Sequence, residues 1–552
     1  MGKRSTTTHD QVISPSYLVR DDRYAEPLVL IKKKNKMKTI KTFVLILFSC
    51  IVYCQPGELD LSFGNQGKTI TTFEDFSAEA TSIALQTNGK IVVVGTGFGD
   101  SDDDVIAVRY STDGIIDESF GTDGRFILSI SDFRDRCFDV TTDEFDNIYL
   151  AGITFNQDFD SKGFVAKISN DGTIDSTFAE NGIWINPDNE TNDDIRSIII
   201  HSDNKLLIAG KTRFQFESDN IILIKLNTDG TYDNNFGNNG QVKVIAPEGY
   251  NPKFAAIDNE GNIVTGGFQL SNSINVVLSK FDNDGNIDQT FGNNGIVIDN
   301  SQLDEFGRSL AIQNDNKILV GTGIANSSGR DFGLNRYEPN GDLDGTFGDN
   351  GKVSTDFQNT SNTAHSVIIQ DDERIILSGF LGVTPNHDYA IARYDIDGSL
   401  DSTFGDNGKV ITDFSLDDLI FTSIIDTDGK LLCAGNSKTN NDVSSFSIAR
   451  YYTEMGTNTN DQLTNTNLIN IHPNPSNGSF SIKLPVFDSK VIAIQILDID
   501  GQIYQSINSE EVDQIKNEEI EIKLSNRIIS GIYLVKIVTK NSSFCKQIVL
   551  QR

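Results

Sequence analysis

Seven phenylalanines, Phe63, Phe120, Phe178, Phe236, Phe291, Phe347 and Phe404, stand at intervals of 57, 58, 58, 55, 56 and 57 residues. Each lies at the centre of one phrase, clearest as LDSTFGDNGKV at 400–410. An Asp precedes every one of them by three residues, at Asp60, Asp117, Asp175, Asp233, Asp288, Asp344 and Asp401. Gly follows the Phe in six copies, with Ala179 the exception, and a second Gly comes four residues after it in all seven. Units of this size cannot each close a core alone, so they must stack into an array.

Within a unit the grammar repeats. The first reads GKTITTF, TSIALQ, the turn TNGK, IVVVG, a loop, VIAVRY and the turn STDG. Four strands per unit follow, and the middle turn (TNGK, EFDN, SDNK, NEGN, NDNK, DDER, TDGK) holds residue types that accept the positive φ of tight hairpins. Runs such as IVVVG and VIAVRY are apolar on both faces, which means that each sheet is covered on both sides. Blades stacked around a ring meet that demand. A β-solenoid is the rival architecture, with coils shorter than this unit. The phrase is expected to be the corner between the fourth strand and the next unit, its Asp capping backbone N–H groups and its Phe filling the wedge between sheets.

These residues carry a resemblance. The D-x-x-F-G-x-x-G phrase, with the "GKI-apolar-G" and "ARY-x-x-DG" segments around it, resembles the delta-60 repeat family over roughly residues 57 to 452. That resemblance implies an all-β, seven-bladed β-propeller and no established activity.

The chain carries 46 Lys and Arg against 78 Asp and Glu, a formal charge of -32, which repels phosphate backbones and anionic membranes and argues against a nucleic-acid partner. At the N-terminus a basic run, KKKNKMKTIK, precedes the short apolar run TFVLILFSCIVYC, the order of a signal peptide, with cleavage expected between Cys54 and Gln55. A lipoprotein reading would use Cys50 instead, and Met37 is a second candidate start. The apolar run is too short for a transmembrane span. Cys137, Cys433 and Cys545, the cysteines beyond it, have neither disulfide nor zinc spacing.

Four segments result: an N-terminal extension and signal peptide at 1–54, the array at 55–452, an Asn/Thr-rich linker at 453–467, and a small β-sandwich at 468–552. The last resembles the type A C-terminal sorting domain of the type IX secretion system of Bacteroidetes. Pro473, Asn474, Pro475 and Gly478 match its opening motif, Asp498 and Gly501 its middle one, and Gly531, Tyr533 and Lys546 its closing one. The resemblance implies a secretion-machinery partner and a secreted or cell-surface location.

Candidate chemistry is sparse. A cation recurs on each fourth strand, at Arg109, Lys167, Lys225, Lys280, Arg336, Arg393 and Arg450. Each is expected to neutralise a nearby carboxylate, or alternatively all seven form a cationic ring around an axial channel that binds an anionic glycan. The acidic stretches DIDGSLD (395–401) and DSDDD (100–104) suit calcium in residue type but lack the spacing of a calcium loop, so no cofactor is expected. His365 and His387 share a unit without a third metal ligand. No phosphate loop and no G-x-S-x-G occurs, and no catalytic residue stands out. The loops GFGDSDDD, TFNQDFDSKG, TRFQFESDN, QLSNSIN, IANSSGRD, LGVTPNHD and SKTNNDVSS vary freely, where binding specificity usually resides. The expectation is a non-catalytic propeller that binds an extracellular protein or glycan, or serves as a structural surface module. The alternative is a hydrolase or lyase acting on extracellular polysaccharide, with carboxylates on the variable-loop face as acid and base.

Overall fold

The computed structural model describes residues 53–457 except 74–75, 100–101, 189, 215–216, 302, 327–328, 359, 415–416, 439–442 and 455. It further describes 470–551 except 473, 475, 484–490, 498–502, 509–518, 526–527, 529 and 540–542. Residues 1–52, with most of the expected signal segment, and most of 453–467, the expected linker, lie outside the described residues.

Among the described residues the chain is all β, and residues 68–451 form seven four-stranded antiparallel sheets in sequence order. Sheet 1 has Ser77–Leu85 as its inner strand, followed outward by Ile91–Phe98, Asp103–Tyr110 and Arg125–Leu128. Sheets 2 to 6 repeat this plan from the inner strands Asp135–Thr142, Thr191–Ile200, Tyr250–Ile257, Glu305–Ile312 and Asn362–Ile369. Sheet 7 has Asp418–Ile425, Leu431–Lys438 and Ser444–Tyr451. Its fourth strand comes from the other end of the chain: Lys68–Thr71 pairs with Ser444–Tyr451, with Lys68 opposite Ala449 and Thr71 opposite Phe446. Each inner strand packs on the next, and Asp418–Ile425 packs on Ser77–Leu85, so the sheets form a closed ring: a β-propeller.

This topology corrects the strand order read from the sequence. The segment GKTITTF and its counterparts are outer strands of the preceding sheet, so the phrase joins the third strand of a sheet to its outer strand and does not lead to the next sheet. A circular array has no natural first strand. The chain starts one strand early, and that strand closes the ring.

Second strands such as Ile91–Phe98 are buried at almost every position, as runs apolar on both faces require. Between each pair of neighbouring sheets lies one apolar cluster, and the phrase Phe sits in it: Phe63 with residues of sheets 7 and 1, Phe120 with 1 and 2, and so on to Phe404 with 6 and 7. All seven rings are at most 1% exposed. Withdrawing such a ring from water stabilises by about 2–3 kcal/mol.

The C-terminal residues form a sheet of Asn470–His472, Ser479–Lys483 and Glu519–Lys523 and a second of Ile503–Asn508, Val491–Leu497, Gly531–Thr539 and Ser543–Leu550. Phe480, Ile482 and Ile522 of the first share one core with Ile496, Val535 and Ile548 of the second, which is sandwich packing.

Candidate functional site

Antiparallel order divides the ring into two faces. The first-to-second turns and the phrases gather on one; the variable loops, which join second to third strands, gather on the other with the connections between sheets.

On the phrase face the seven repeated cations lie on third strands and are engaged. Arg109, Lys167, Arg336, Arg393 and Arg450 pair with the phrase carboxylates Asp117, Asp175, Asp344, Asp401 and Asp60 at 2.7–2.9 Å. Lys225 and Lys280 turn instead to Asp203 and Asp258 of the middle turns, at 2.9 and 3.0 Å. Arg109, Arg336, Arg393 and Arg450 also lie 4.3–4.7 Å from the ring centroids of Phe120, Phe347, Phe404 and Phe63. Their outer nitrogens donate to carbonyls beyond their own sheet, Arg336 to Ile396 at 2.6 Å and Arg450 to Thr112 at 2.5 Å. A cationic ring facing the axis is therefore corrected to a set of buried staples, because the strands around the axis are the inner ones.

The residue after each Phe completes the latch. Gly64, Gly121, Ala179, Gly237, Gly292 and Gly348 donate N–H to carbonyls of Asp113, Asp171, Asp229, Asp284, Asn340 and Asp397 in the turn of the next sheet, at 2.8–2.9 Å. Gly405 donates to Pro56 at 2.7 Å, near the expected mature start at Gln55. All seven donors have φ between 44° and 54°.

A different belt occupies the inner strands. Each breaks register at the same position, leaving one residue outside the pairing: Thr81, Phe138, Arg196, Lys253, Arg308, His365 and Phe421. Such a bulge re-aims a side chain. On the second strand opposite stands Gly95, Gly152, Gly210, Gly267, Gly379 or Gly435, where a Cβ would lie only 1.8–2.3 Å from an inner-strand carbonyl oxygen. In sheet 5 Thr322 takes this place and the glycine moves across, to its partner Gly307. The sequence signal is the Gly that ends the "GKI-apolar-G" segment of six units, the residue across from the bulge.

Belt side chains meet across sheets. Arg196 lies over Phe138 at 3.8 Å, and the His365 and Phe421 rings are 5.0 Å apart. Arg196 pairs with Asp194 at 2.5 Å. Lys253 and Arg308, both half-buried, have no ion-pair or hydrogen-bond partner among the described residues, and nor does Arg330 at the loop end of a sheet 5 strand. These three surround two edge-to-face rings: Lys253 is 5.6 Å from Phe268, Arg308 is 5.7 and 5.9 Å from Phe268 and Phe306, and Arg330 is 4.1 Å from Phe306. Burial, with the charges of Arg196 and Arg308, brings the Lys253 amine down to about 7. Burial and the Arg330 charge bring Arg308 down to about 10. Burial holds His365 well below the usual imidazole range, and Arg308 and Lys253 push the same way.

The remaining candidates are structural or lie beyond the described residues. Asp397 is taken by Ser399 and Asp401 by Arg393, and Asp103 pairs with Arg136 at 3.1 Å, while residues 100 and 101 lie outside the described residues. His365 and His387 both pack against Phe380, at 5.2 and 5.0 Å, and His387 bonds to Asp417. Asp388, Asp413 and Asp418, a group not singled out in the sequence, present oxygens within 4.8 Å of one another. Burial and its two acidic neighbours push Asp418 up to about 6. A cavity of about 460 Å³ on the phrase face is lined by Asp349, Lys352 and Asp397, with Lys352 held by Asp299 and Glu305. In the sandwich, Asn474 accepts the Val549 N–H at 2.8 Å, Gly478 has φ 112°, Gly531 opens a strand, and Tyr533 is buried against Tyr504. Pro473, Pro475, Asp498 and Gly501 lie outside the described residues, as does the Lys546 side chain.

Residues 470–551 match the family of secretion system C-terminal sorting domains. Residues 86–120, 201–236, 313–347 and 370–404 match the DUF5122 β-propeller, a domain of unknown function, each segment running from a middle turn to a phrase Phe. No curated protein is significantly similar in sequence. Among solved structures, the polysaccharide lyase Uly1 superposes with a TM-score of 0.42 at 11% identity, covering 73% of this chain and 97% of that one. A PL25 ulvan lyase bound to -[GlcA(1-4)Rha3S]- gives 0.39 at 9%, covering 75% and 98%. Sqt1 from Chaetomium thermophilum gives 0.37 at 10%, covering 69% and 98%.

Proposed function

We propose that this secreted or cell-surface β-propeller, which carries a secretion-system C-terminal sorting domain, is a non-catalytic protein that binds an extracellular glycan on its variable-loop face. One observation carries this reading: aromatic rings and cations without an ion-pair partner among the described residues converge around the inner strands toward the loop ends, while the phrase face carries latches that every sheet repeats. Aromatic faces with a few convergent polar groups are how proteins hold sugars without reacting with them. The rival is an enzyme acting on extracellular polysaccharide. What favours it is Lys253, lowered toward neutrality near a His365 held uncharged, an arrangement from which a base can be drawn. A glycan array read alongside a depolymerisation screen on the purified secreted protein separates the two. Retention without turnover supports the binding reading; turnover abolished by Lys253→Met sinks it in favour of the enzyme.

A further inference from the structure

Lys253, Arg308 and Arg330 pose a physical problem. The chain carries 78 acidic residues against 46 basic ones, and the cations recurring on the third strands have each been given a carboxylate. These three have none among the described residues, although they lie around one pair of rings and are close enough to weaken one another's protonation. Packing does not require it: the equivalent bulges of other sheets hold Thr81, Phe138 and Phe421 without charge. Asp194, which pairs with Arg196, acts on Lys253 without forming an ion pair with it; half-buried like charges with no carboxylate in direct contact destabilise the fold they sit in, and an anion entering between them removes that penalty.

We infer that Lys253, Arg308 and Arg330 form a site for a single oxyanion, a carboxylate or a sulfate ester, borne on a sugar whose ring packs against Phe306. This rests on the glycan-binding reading above and names its ligand class. The charge distribution sets the size of the ligand. A long polyanion meets the field of a chain with net charge -32 before it reaches the axis, whereas one acidic sugar, terminal or isolated in a neutral glycan, presents its charge only at the cations. Phe306 supplies what a free anion cannot use: it is half-buried, and the buried Phe268 ring, 5.4 Å away at 67°, backs it edge to face. Guanidinium groups take two oxygens of a carboxylate or sulfate at once, and the Nε of Arg308 is buried without an acceptor.

The test is calorimetric titration of the secreted chain with glucuronate, glucose 6-sulfate, acetate and glucose, together with ligand protection of Lys253 against amine-directed labelling read by mass spectrometry. The expected result is that glucuronate or glucose 6-sulfate binds at least ten-fold more tightly than acetate and glucose and protects Lys253. The tighter of the two identifies the acid group. Lys253→Met and Arg308→Met, which keep volume while removing charge, should each weaken that binding at least ten-fold. Labelling of the unaltered chain keeps the test decisive if a variant fails to fold. Acetate binding as tightly as glucuronate overturns the role of the sugar, and glucose binding as tightly overturns that of the charge. Binding that both variants retain overturns the site. A neutral glycan held equally by the unaltered chain and both variants overturns this assignment while leaving the binding reading standing; turnover of any glycan removes the reading itself.

Discussion

Asp60 divides its two oxygens between two tasks. One accepts the N–H and hydroxyl of Ser62, closing the turn; the other accepts Arg450 and Lys430. Burial raises its pKa, but Lys430, Ser62 and Arg450 outweigh it and hold the carboxyl well below the usual range. At Asp175 the Thr177 hydroxyl and Lys167 bring it down to about 2. Stability from such groups is fully present above the unfolded value near 4 and is lost as pH falls through the folded value. Asp418 has the opposite sign. With its folded value at about 6, its contribution is present below about 4 and lost as pH rises to about 6. Asp418→Asn should therefore be more favourable at pH 7 than at pH 4 by about 2–3 kcal/mol, as denaturant titrations at the two pH values would show. In the phrase itself, Phe291→Ala should cost about 3–5 kcal/mol by opening a cavity between sheets 4 and 5. Asp288→Ala, which removes a cap on Thr290 but no ion pair, should cost about 1 kcal/mol. Gly292→Val should destabilise as well, since φ there is 53° and a Cβ would lie 2.6 Å from the Ile296 oxygen. Ala179, with φ 44° where the other copies have Gly, carries left-handed strain of about 1–2 kcal/mol. Ala179→Gly should raise the melting midpoint; a fall would show that the alanine is under no strain.

Among elements, the four-residue strand Lys68–Thr71 has a part out of proportion to its length. Without it, Ser444–Tyr451 becomes an open edge of apolar backbone, a template for pairing with another chain. Deleting 55–73 should also remove Phe63 and Asp60, and with them the core between sheets 7 and 1 and the partner of Arg450. Size-exclusion chromatography with light scattering should then report oligomers and calorimetry a lowered, broadened transition; a monomer that melts as before would refute this closure. Element number, antiparallel pairing and the buried phrase were all legible in the sequence, because they follow from period, turn chemistry and runs apolar on both faces. Strand order within a unit was not, since a repeat read linearly does not say where a ring is cut. The axial cluster was also hidden. Arg196, Lys253 and Arg308 occupy equivalent bulges in successive sheets, yet no shared residue type marks those positions, and only their register places them side by side.

At the scale of the whole molecule, ring and sandwich have separate cores. Ile482, Ile496 and Val535 lie in a cluster that shares no residue with the seven clusters between the sheets of the ring. Loss of one core should leave the other's energetics intact, because apolar stabilisation depends on local burial. The ring, by contrast, couples every sheet to two neighbours through one latch and one Phe apiece, so it should melt in a single transition to which any one latch contributes. The two halves of the chain thus separate folding from addressing. A secretion-system sorting domain at 470–551 implies an address read by the export machinery, and with a core of its own it is expected to give the propeller no support. A chain ending at residue 467 should therefore fold with the same ring transition as the full chain but remain inside the cell envelope. Cell fractionation with immunodetection, together with a melting curve on the retained protein, measures both halves of that statement. Retention of a misfolded chain would mean that the sandwich supports the ring. Appearance of the truncated chain in the medium would mean that the address lies elsewhere.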